Sequence, residues 1–184
     1  MGLTWTEIPA DMQRFIVNQK VFFVATAPVD GRVNVSPKGL DTLRVLSARS
    51  VCYLDLTGSG NETAAHVTEN GRMTIMFCAF EGEAVILRLY GKAQVIRPEA
   101  EGWAKLRPLF SDYVGIRQIF RLDIDRVSTS CGWAVPLAVA GFEERHELLE
   151  WSEKQGESGL EDFRQTYNVA SIDGLSTGYA SDDF

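Results

Sequence analysis

A glycine-rich turn between a strand-like run and a short helical segment holds the residue types best suited to chemistry. Val51–Leu56 is apolar, Thr57–Asn61 reads T-G-S-G-N, and residues 62–69 have helical character. The first backbone N–H groups of a helix lack internal acceptors and lie at the positive end of its dipole, so they attract anions. The turn is therefore a candidate phosphate site. The alternative is a plain strand–helix connection with a good cap, because the turn is neither a Walker A loop nor G-x-G-x-x-G.

The residues of this turn offer both space and hydrogen-bond donors. Gly58 and Gly60 would let the backbone approach a ligand closely and adopt positive φ angles. Asn61 is the predicted N-cap of the helical segment, and Thr63 adds a hydroxyl donor in its first turn. We expect the rest of the chain to build a cofactor pocket around these residues.

Charge and hydropathy limit the partners of the protein. The chain has 184 residues and a formal net charge of -7, which argues against nucleic acid or an acidic membrane surface as the main partner. No run of about 18 apolar residues is present, so we expect no transmembrane helix and no membrane association. The N-terminus lacks the basic and apolar regions of a signal peptide. These features predict a cytoplasmic protein.

The cysteines and histidines argue against a metal site. Cys52, Cys78 and Cys131 are widely spaced within apolar runs, which is typical of buried thiols in a reducing compartment. The two histidines, His66 and His146, form no H-x-x-x-H pair and have no cysteine pair nearby. A structural role is the favoured interpretation of His66.

Hydrophobic periodicity predicts at least six strands, joined mostly by short turns. The elements do not alternate regularly between strand and helix, so a small antiparallel barrel with peripheral helices fits better than a Rossmann sheet. Gly91 inside the longest run predicts a bend or bulge. The predicted strands are 21–27, 32–36, 43–46, 51–56, 73–77, 84–96 and 119–128, and the predicted helices are 6–19, 62–69, 98–110, 143–154 and 157–167.

Four motifs follow one another along the chain. They are V-S-P-K-G at Val35–Gly39, the strand–G-S-G-N-E-T–helix unit, N-G-R-M-T-I-M-F at Asn70–Phe77 and L-R-L-Y-G-K-A at Leu87–Ala93. In this order they resemble the pyridoxamine 5'-phosphate oxidase-like family of FMN-binding split barrels. Further along, S-C-G-W-A-V-P and S-I-D-G-L (Ser171–Leu175) resemble an uncharacterised subfamily of oxidase-related proteins. The order of elements matches over about residues 6–130, and these two signatures extend the resemblance nearly to the end.

The resemblance implies a fold, an assembly and a cofactor. It implies a mostly β fold with flanking helices, namely a six-stranded antiparallel split β-barrel over residues 1–140. Residues 141–184 would form a C-terminal helical segment and tail packed on the barrel. It also implies a homodimer, FMN as cofactor and oxidoreductase activity on a small-molecule substrate. Vitamin B6 oxidation is not implied, because the substrate-phosphate residues of the oxidase have no clear counterparts.

The resemblance places V-S-P-K-G beside the flavin. Lys38 matches a family lysine that reaches the flavin phosphate or ring edge, and Ser36 and Pro37 would lie along the isoalloxazine, with Gly39 next to them. From the sequence alone, Lys38 could equally be a solvated hairpin residue.

The resemblance assigns the phosphate to the glycine-rich turn. Family members usually hold it with serine, arginine and lysine, whereas this chain offers Ser59, Gly60, Asn61 and Thr63 without a basic residue. The phosphate charge would then be met by Lys38, backbone N–H groups and the helix dipole.

Three residues outside these motifs are further candidates. Asp55 precedes the turn and either bonds a ribityl hydroxyl or simply ends its strand. Arg88 aligns with a family arginine that could add positive charge, or is a surface ion-pair residue. Trp133 could pack beside the flavin as a late tryptophan does in the oxidase, or belong to the core.

Two other readings stay open. One is a deazaflavin (F420) enzyme on the same barrel, although the longer anionic tail of F420 would need a wider basic groove. The other is a flavin- or haem-binding protein that senses or buffers rather than turns over, and haem would require His66 or His146 as axial ligand. We assign no catalytic acid or base, because in a flavoenzyme the protein supplies mainly orientation and electrostatics.

Overall fold

The computed structural model describes residues 2–143 and 145–179. The strands are β1 (Thr4–Trp5), β2 (Phe22–Thr26), β3 (Asn34–Lys38), β4 (Leu43–Ser47), β5 (Ser50–Leu56), β6 (Arg72–Cys78), β7 (Val85–Ile96) and β8 (Ile116–Cys131). The helices are α1 (Ala10–Val17), α2 (Glu62–Asn70), α3 (Glu101–Leu106) and α4 (Glu147–Tyr167), with a 3-10 turn at Arg107–Leu109.

The strands form one antiparallel sheet in the order β3-β2-β6-β7-β8-β5-β4, and β1 pairs with β8 outside this path. Seven of the strands coincide with the predicted apolar runs. β1 has only two residues, which is too short for periodicity to reveal. The mostly β fold with flanking helices is therefore confirmed, and the sheet has more strands than the six that the resemblance implied.

Aromatic rings from separate strands meet in the interior. Tyr53 on β5 stacks on its cross-strand partner Phe120 on β8, with ring centroids 5.1 Å apart. Phe22 on β2 packs against the edge of Tyr53, with centroids 5.7 Å apart. Such pairs add specific geometry to the free energy of apolar burial. They fix β2 relative to β5, and these two strands position the site described below.

The predicted irregularity at Gly91 is confirmed as a register shift between Tyr90 and Gly91 in the pairing of β7 with β8. A Cβ atom at Gly91 would lie 2.0 Å from the carbonyl oxygen of Asp123. Glycine is therefore required here by close backbone approach, and the bulge bends the long strand around the core.

The helices differ from the prediction at three places. The predicted helix 98–110 is the shorter α3, Glu101–Leu106, followed by the 3-10 turn. α1 begins at Ala10, after Pro9 in the N-cap position, and not at Thr6. The two predicted C-terminal helices form the single element α4, with a kink at Gly156 where φ is 64°. Left-handed backbone of this kind is accessible to glycine, which explains why the helical pattern weakens at that point.

The chain after α4 runs in turns, with a bridge between Ala170 and Ser176. Residues 180–184, the last of the predicted C-terminal tail, lie outside the described part of the chain. Within the described part, none of the helices has the length and apolar character needed to cross a bilayer.

Candidate functional site

The glycine-rich turn borders a cleft of about 300 Å³. The cleft lies between the inward face of β3, the end of β5 and the first turn of α2. It is lined by Asn34, Ser36, Lys38, Asp55, Leu56, Gly58, Ser59, Gly60, Asn61, Glu62, Thr63 and Arg117.

β3 presents its polar residues to the cleft because side chains alternate between the two faces of a strand. Asn34, Ser36 and Lys38 are half-buried and point to one side, while Val35 and Pro37 are exposed on the other. The pairing of Lys38 with Phe22 on β2 fixes this register. The motif V-S-P-K-G therefore delivers one hydroxyl and one ammonium group to the same cleft.

Asp55 is the centre of a buried charge network. Its Oδ2 accepts hydrogen bonds from Arg117 Nε at 3.0 Å, from Arg117 Nη2 at 2.8 Å and from Gln118 Nε2 at 2.9 Å. Its Oδ1 lies 3.4 Å from Lys38 Nζ. Asp55 is thus more than the end of a strand, because it fixes a lysine and an arginine at the cleft wall.

The protonation of Asp55 follows from these contacts. Burial by itself raises the pKa of the carboxyl, but the positive charges of Arg117 and Lys38, together with the hydrogen bond from Gln118, hold the pKa below its ordinary value. Asp55 is therefore ionised at neutral pH, and it holds Lys38 in a position from which the ammonium group can also reach a ligand.

Hydrogen bonds of the Asn61 side chain to other elements of the protein hold the glycine-rich turn in place. Asn61 occupies the N-cap position of α2, as predicted, but its side chain makes no cap hydrogen bond. Its Oδ1 instead accepts from Gln118 Nε2 at 2.7 Å, and its Nδ2 donates to the carbonyl oxygen of Asn168 at 3.2 Å. The amide thus anchors the turn to β8 and to the chain after α4.

The expected positive φ angles of Gly58 and Gly60 are wrong, since neither glycine has one. A Cβ atom at Gly58 would meet nothing within 4 Å, and one at Gly60 would lie 4.0 Å from Glu62 Cγ. Neither packing nor strain inside the protein requires these two glycines. The space beside them is open to a ligand.

Two kinds of hydrogen-bond donor are available in the cleft. Ser36 Oγ is buried and has no partner within the described part of the chain. The first hydrogen bonds of α2 run from the N–H groups of Ala64 and Ala65 to Asn61 O, so the N–H groups of Glu62 and Thr63 precede the ladder. A buried polar group without a partner is costly, and a ligand acceptor would satisfy it.

The charges lining the cleft balance. Lys38 and Arg117 are positive, and Asp55 and Glu62 are negative. The Glu62 carboxylate, however, accepts the N–H of Ile172 at 3.0 and 3.2 Å. An anion in the cleft would therefore depend on Lys38, on backbone N–H groups and on hydroxyls rather than on a basic lining.

A second cavity of about 470 Å³ adjoins the first and shares Lys38, Asp55, Leu56 and Gly58 with it. Its lining is mainly apolar. The residues that belong to it alone are Lys20, Val21, Pro37, Gly39, Leu40, Thr42, Leu54, Phe142, Glu143, Arg145 and Leu148. A polar cleft continuous with an apolar one suits a molecule that has an anionic end and a planar apolar end.

The structure brings together nine of the eleven predicted site residues. Seven line the polar cleft and two, Pro37 and Gly39, line the apolar cavity. Arg88 lies away from both and donates to Ser130 Oγ at 3.0 Å. Trp133 is 87% exposed in the single chain, so it does not belong to the core. The seven residues of the polar cleft are Ser36, Lys38, Asp55, Ser59, Gly60, Asn61 and Thr63.

His66 is buried, and its Nδ1 lies 3.0 Å from Thr26 Oγ1, consistent with a structural role. His146 is exposed, and neither histidine lines the polar cleft. No group of three or more potential metal-ligating side chains is found within residues 2–143 and 145–179. Cys52 and Cys78 are buried as expected, whereas Cys131 at the end of β8 is exposed, so the expectation was wrong there.

Comparison with known proteins decides the family. The sequence model described as pyridoxamine 5'-phosphate oxidase matches residues 8–131. The chain belongs to the pyridoxamine 5'-phosphate oxidase family. A curated relative, the pyridoxamine 5'-phosphate oxidase family protein ustO of Aspergillus flavus, is 37% identical over 193 aligned positions, which cover 95% of this chain and 77% of the relative.

Solved structures support the split-barrel fold of this family. HupZ of Group A Streptococcus aligns with a TM-score of 0.52 at 22% identity, covering 65% of this chain and 91% of HupZ. A pyridoxinephosphate oxidase family protein from Clostridium acetobutylicum, related to general stress protein 26, aligns with a TM-score of 0.52 at 12% identity, covering 66% and 86% of the two chains. At these identities the likeness shows the fold alone.

Proposed function

We propose that this family member binds FMN across the two adjoining cavities and acts as a flavin-dependent oxidoreductase on a small molecule. The observation that carries the proposal is the convergence, in one cleft, of Lys38, the unpartnered hydroxyl of Ser36 and the start of α2. These groups fit an anionic, hydroxyl-rich tail, and the adjoining apolar cavity fits a planar ring system.

Each group would have a defined part in holding the nucleotide. The N–H groups at the start of α2, with the hydroxyls of Ser59 and Thr63, would donate to the phosphate. Lys38 would add a charge-assisted hydrogen bond. Asn61 would not contact the phosphate through its side chain, because that amide is engaged by Gln118 and Asn168. Ser36 would bond the ribityl chain or the ring edge.

A bound flavin supplies hydride transfer, and the chain supplies binding, orientation and the electrostatic environment. The apolar lining around Val21, Leu54 and Phe142 would exclude water from the ring. Lys38 lies where the two cavities join, so its positive charge would stand near both the tail and the ring edge. Proton transfer is assigned to none of the side chains.

We also propose that the protein is a homodimer. Val33 lies just before the edge strand β3, and Val35 lies within it. Their surfaces are 71% and 59% exposed, next to the residues that line the cleft. Burying these side chains against a second copy would be favourable, and it would cover an unpaired strand edge. Arg88 and Trp133, which lie outside the cleft in one chain, are the candidates for contributions across such an interface. Light scattering coupled to size-exclusion chromatography tests this assembly directly.

The visible absorption spectrum tests the proposed cofactor. The protein, as purified or after incubation with FMN and removal of free FMN, should show flavin bands. A Soret band would point to haem, although neither histidine lines the polar cleft. A colourless protein after incubation with FMN overturns the proposal.

Anaerobic reduction of the bound flavin distinguishes an oxidoreductase from a protein that only binds flavin. Addition of NADH or NADPH should bleach the flavin bands, and an added acceptor should restore them. A loaded protein whose flavin is reduced by neither donor, and whose dithionite-reduced flavin is reoxidised by no member of a panel of acceptors, would be a flavin-binding protein and not an oxidoreductase. F420 in place of FMN is tested by the same titration, and we expect it to bind more weakly because the cleft lining carries no excess positive charge.

A further inference from the structure

Asn168 links three separate parts of the chain beneath the glycine-rich turn. It is fully buried and follows directly after α4. Its Nδ2 donates to the carbonyl oxygen of Gly58 at 3.1 Å, and its Oδ1 accepts from Arg117 Nη1 at 2.6 Å. Its own carbonyl oxygen accepts from Asn61 Nδ2 at 3.2 Å and from Thr177 Oγ1 at 2.5 Å. One residue therefore contacts both ends of the turn and the buried arginine.

The S-I-D-G-L motif that follows contacts one wall of the cleft and the hairpin that leads into β3. The N–H of Ile172 donates to the carboxylate of Glu62 at the start of α2. Asp173 pairs with the guanidinium of Arg32 and accepts the backbone N–H of Arg32 at 2.7 Å, in the hairpin that leads into β3. The C-terminal segment, residues 168–177, thus joins the hairpin before β3 to the first turn of α2.

We propose that Asn168 is a positioning residue for the nucleotide site, and that the segment 168–177 completes that site. The inference rests on the proposed function, because it concerns the same turn. Asn168 holds the carbonyl oxygen of Gly58 toward the protein interior. Residues 58–63 line the cleft, and none of their backbone N–H groups donates to a backbone acceptor in the described part of the chain. The position of these N–H groups depends on a side chain more than 100 residues away in sequence.

The coupling between docking of the segment 168–177 and binding of a ligand to the turn must act in both directions. If the docked segment holds the turn in its binding conformation, then a ligand bound to the turn must stabilise the docking of the segment by the same free energy. A residue that only packs would change global stability without changing which ligand the turn prefers. This difference separates a positioning role from a merely structural one.

The test uses two variants and a control. Asn168→Ala removes both side-chain hydrogen bonds, whereas Asn168→Asp keeps an acceptor for Arg117, replaces the donor to Gly58 with an oxygen and adds a negative charge. Thr166→Ala is the matched control, because its hydroxyl bonds only the carbonyl oxygen of Asp162 on an exposed face of α4. Amide hydrogen exchange is measured without ligand at Thr57, Ala64 and Ala65, whose hydrogen-bonded N–H groups bracket the turn. FMN and riboflavin are then titrated into each protein.

In both Asn168 variants the amides of Thr57, Ala64 and Ala65 should exchange roughly tenfold faster, which corresponds to the loss of about one hydrogen bond that holds the turn. Asn168→Ala should also lose affinity for FMN by roughly tenfold while riboflavin, which lacks the phosphate, binds as in the wild type. The added charge of Asn168→Asp would repel the phosphate by itself, so for that variant the exchange measurement is the test. The control should match the wild type in all three measurements. Asn168→Asp keeps the contact to Arg117, so it tests the turn even if Asn168→Ala folds poorly.

Unchanged exchange in both variants overturns the inference, and so does faster exchange with an unchanged ratio of FMN to riboflavin affinity. A wild-type protein that binds no flavin would instead contradict the proposed function. In that case the exchange measurement on the protein alone still decides whether Asn168 fixes the turn.

Discussion

Arg117 donates two hydrogen bonds to a single carboxylate oxygen of Asp55, from Nε at 3.0 Å and from Nη2 at 2.8 Å. Both side chains are 4% exposed. A buried ion pair of this kind adds little net stability compared with an apolar pair, but loss of one partner leaves the other charge without compensation. The pair joins β5 to β8 directly behind the glycine-rich turn, so the geometry of the cleft depends on it.

Arg117→Ala should lower the free energy of unfolding by about 3 kcal/mol, because Asp55 would remain buried with only the more distant Lys38 as a countercharge. Urea unfolding monitored by circular dichroism measures the change. Arg49→Ala, which breaks an exposed pair with Glu7, is the control and should cost less than about 1 kcal/mol. Equal effects of the two substitutions would show that Asp55 does not depend on Arg117.

The pH dependence of stability should report Asp55. The fold lowers the pKa of this carboxyl, so its contribution is fully present above the unfolded pKa of about 3.9 and is lost as the pH falls through the folded pKa. The difference in unfolding free energy between the wild type and Asp55→Asn should therefore be constant from about pH 7 to 5 and should narrow in more acidic solution. A difference that stays constant down to the acid limit of the native state would contradict the lowered pKa.

Gly91→Ala should destabilise the barrel by about 1–3 kcal/mol, because the added methyl group would overlap the carbonyl oxygen of Asp123 at the bulge. Thermal and urea unfolding measure the loss. Gly58→Ala is the control, since its methyl group would meet nothing within 4 Å. If both variants were equally stable, the bulge would have room that the structure does not show.

Lys38→Ala should weaken FMN binding by about 1.5–3 kcal/mol through the loss of a charge-assisted hydrogen bond. Fluorescence titration measures the dissociation constant. Lys105→Ala, on the exposed side of α3, controls for the change in net charge. FMN affinity equal to that of the wild type would remove Lys38 from the site.

The sequence alone predicted the structural elements that are determined by local sequence patterns. Alternating and continuous apolar runs predicted seven strands, and the T-G-S-G-N turn predicted the junction of β5 with α2. The glycine inside β7 predicted the bulge, because only a missing Cβ permits such close backbone approach.

The buried residues that hold the cleft in place could not be predicted from local sequence patterns. Arg117 and Gln118 precede the predicted strand 119–128, although they lie near the start of β8, the longest strand of the sheet. Their partner Asp55 is about 60 residues earlier in the chain, and Asn168 is about 50 residues later. A polar residue next to an apolar run gives no local sign of a distant buried partner. The S-I-D-G-L motif was the only sequence signal near Asn168, and its contacts became clear only in three dimensions.

The preference for FMN over riboflavin tests the central claim most directly, since the two ligands differ only in the phosphate that the turn is proposed to hold. Equilibrium fluorescence titration of the wild-type protein should give saturable binding of FMN that is at least about tenfold tighter than that of riboflavin. Absence of saturable FMN binding, or equal affinity for the two ligands, would contradict a phosphate site at the start of α2.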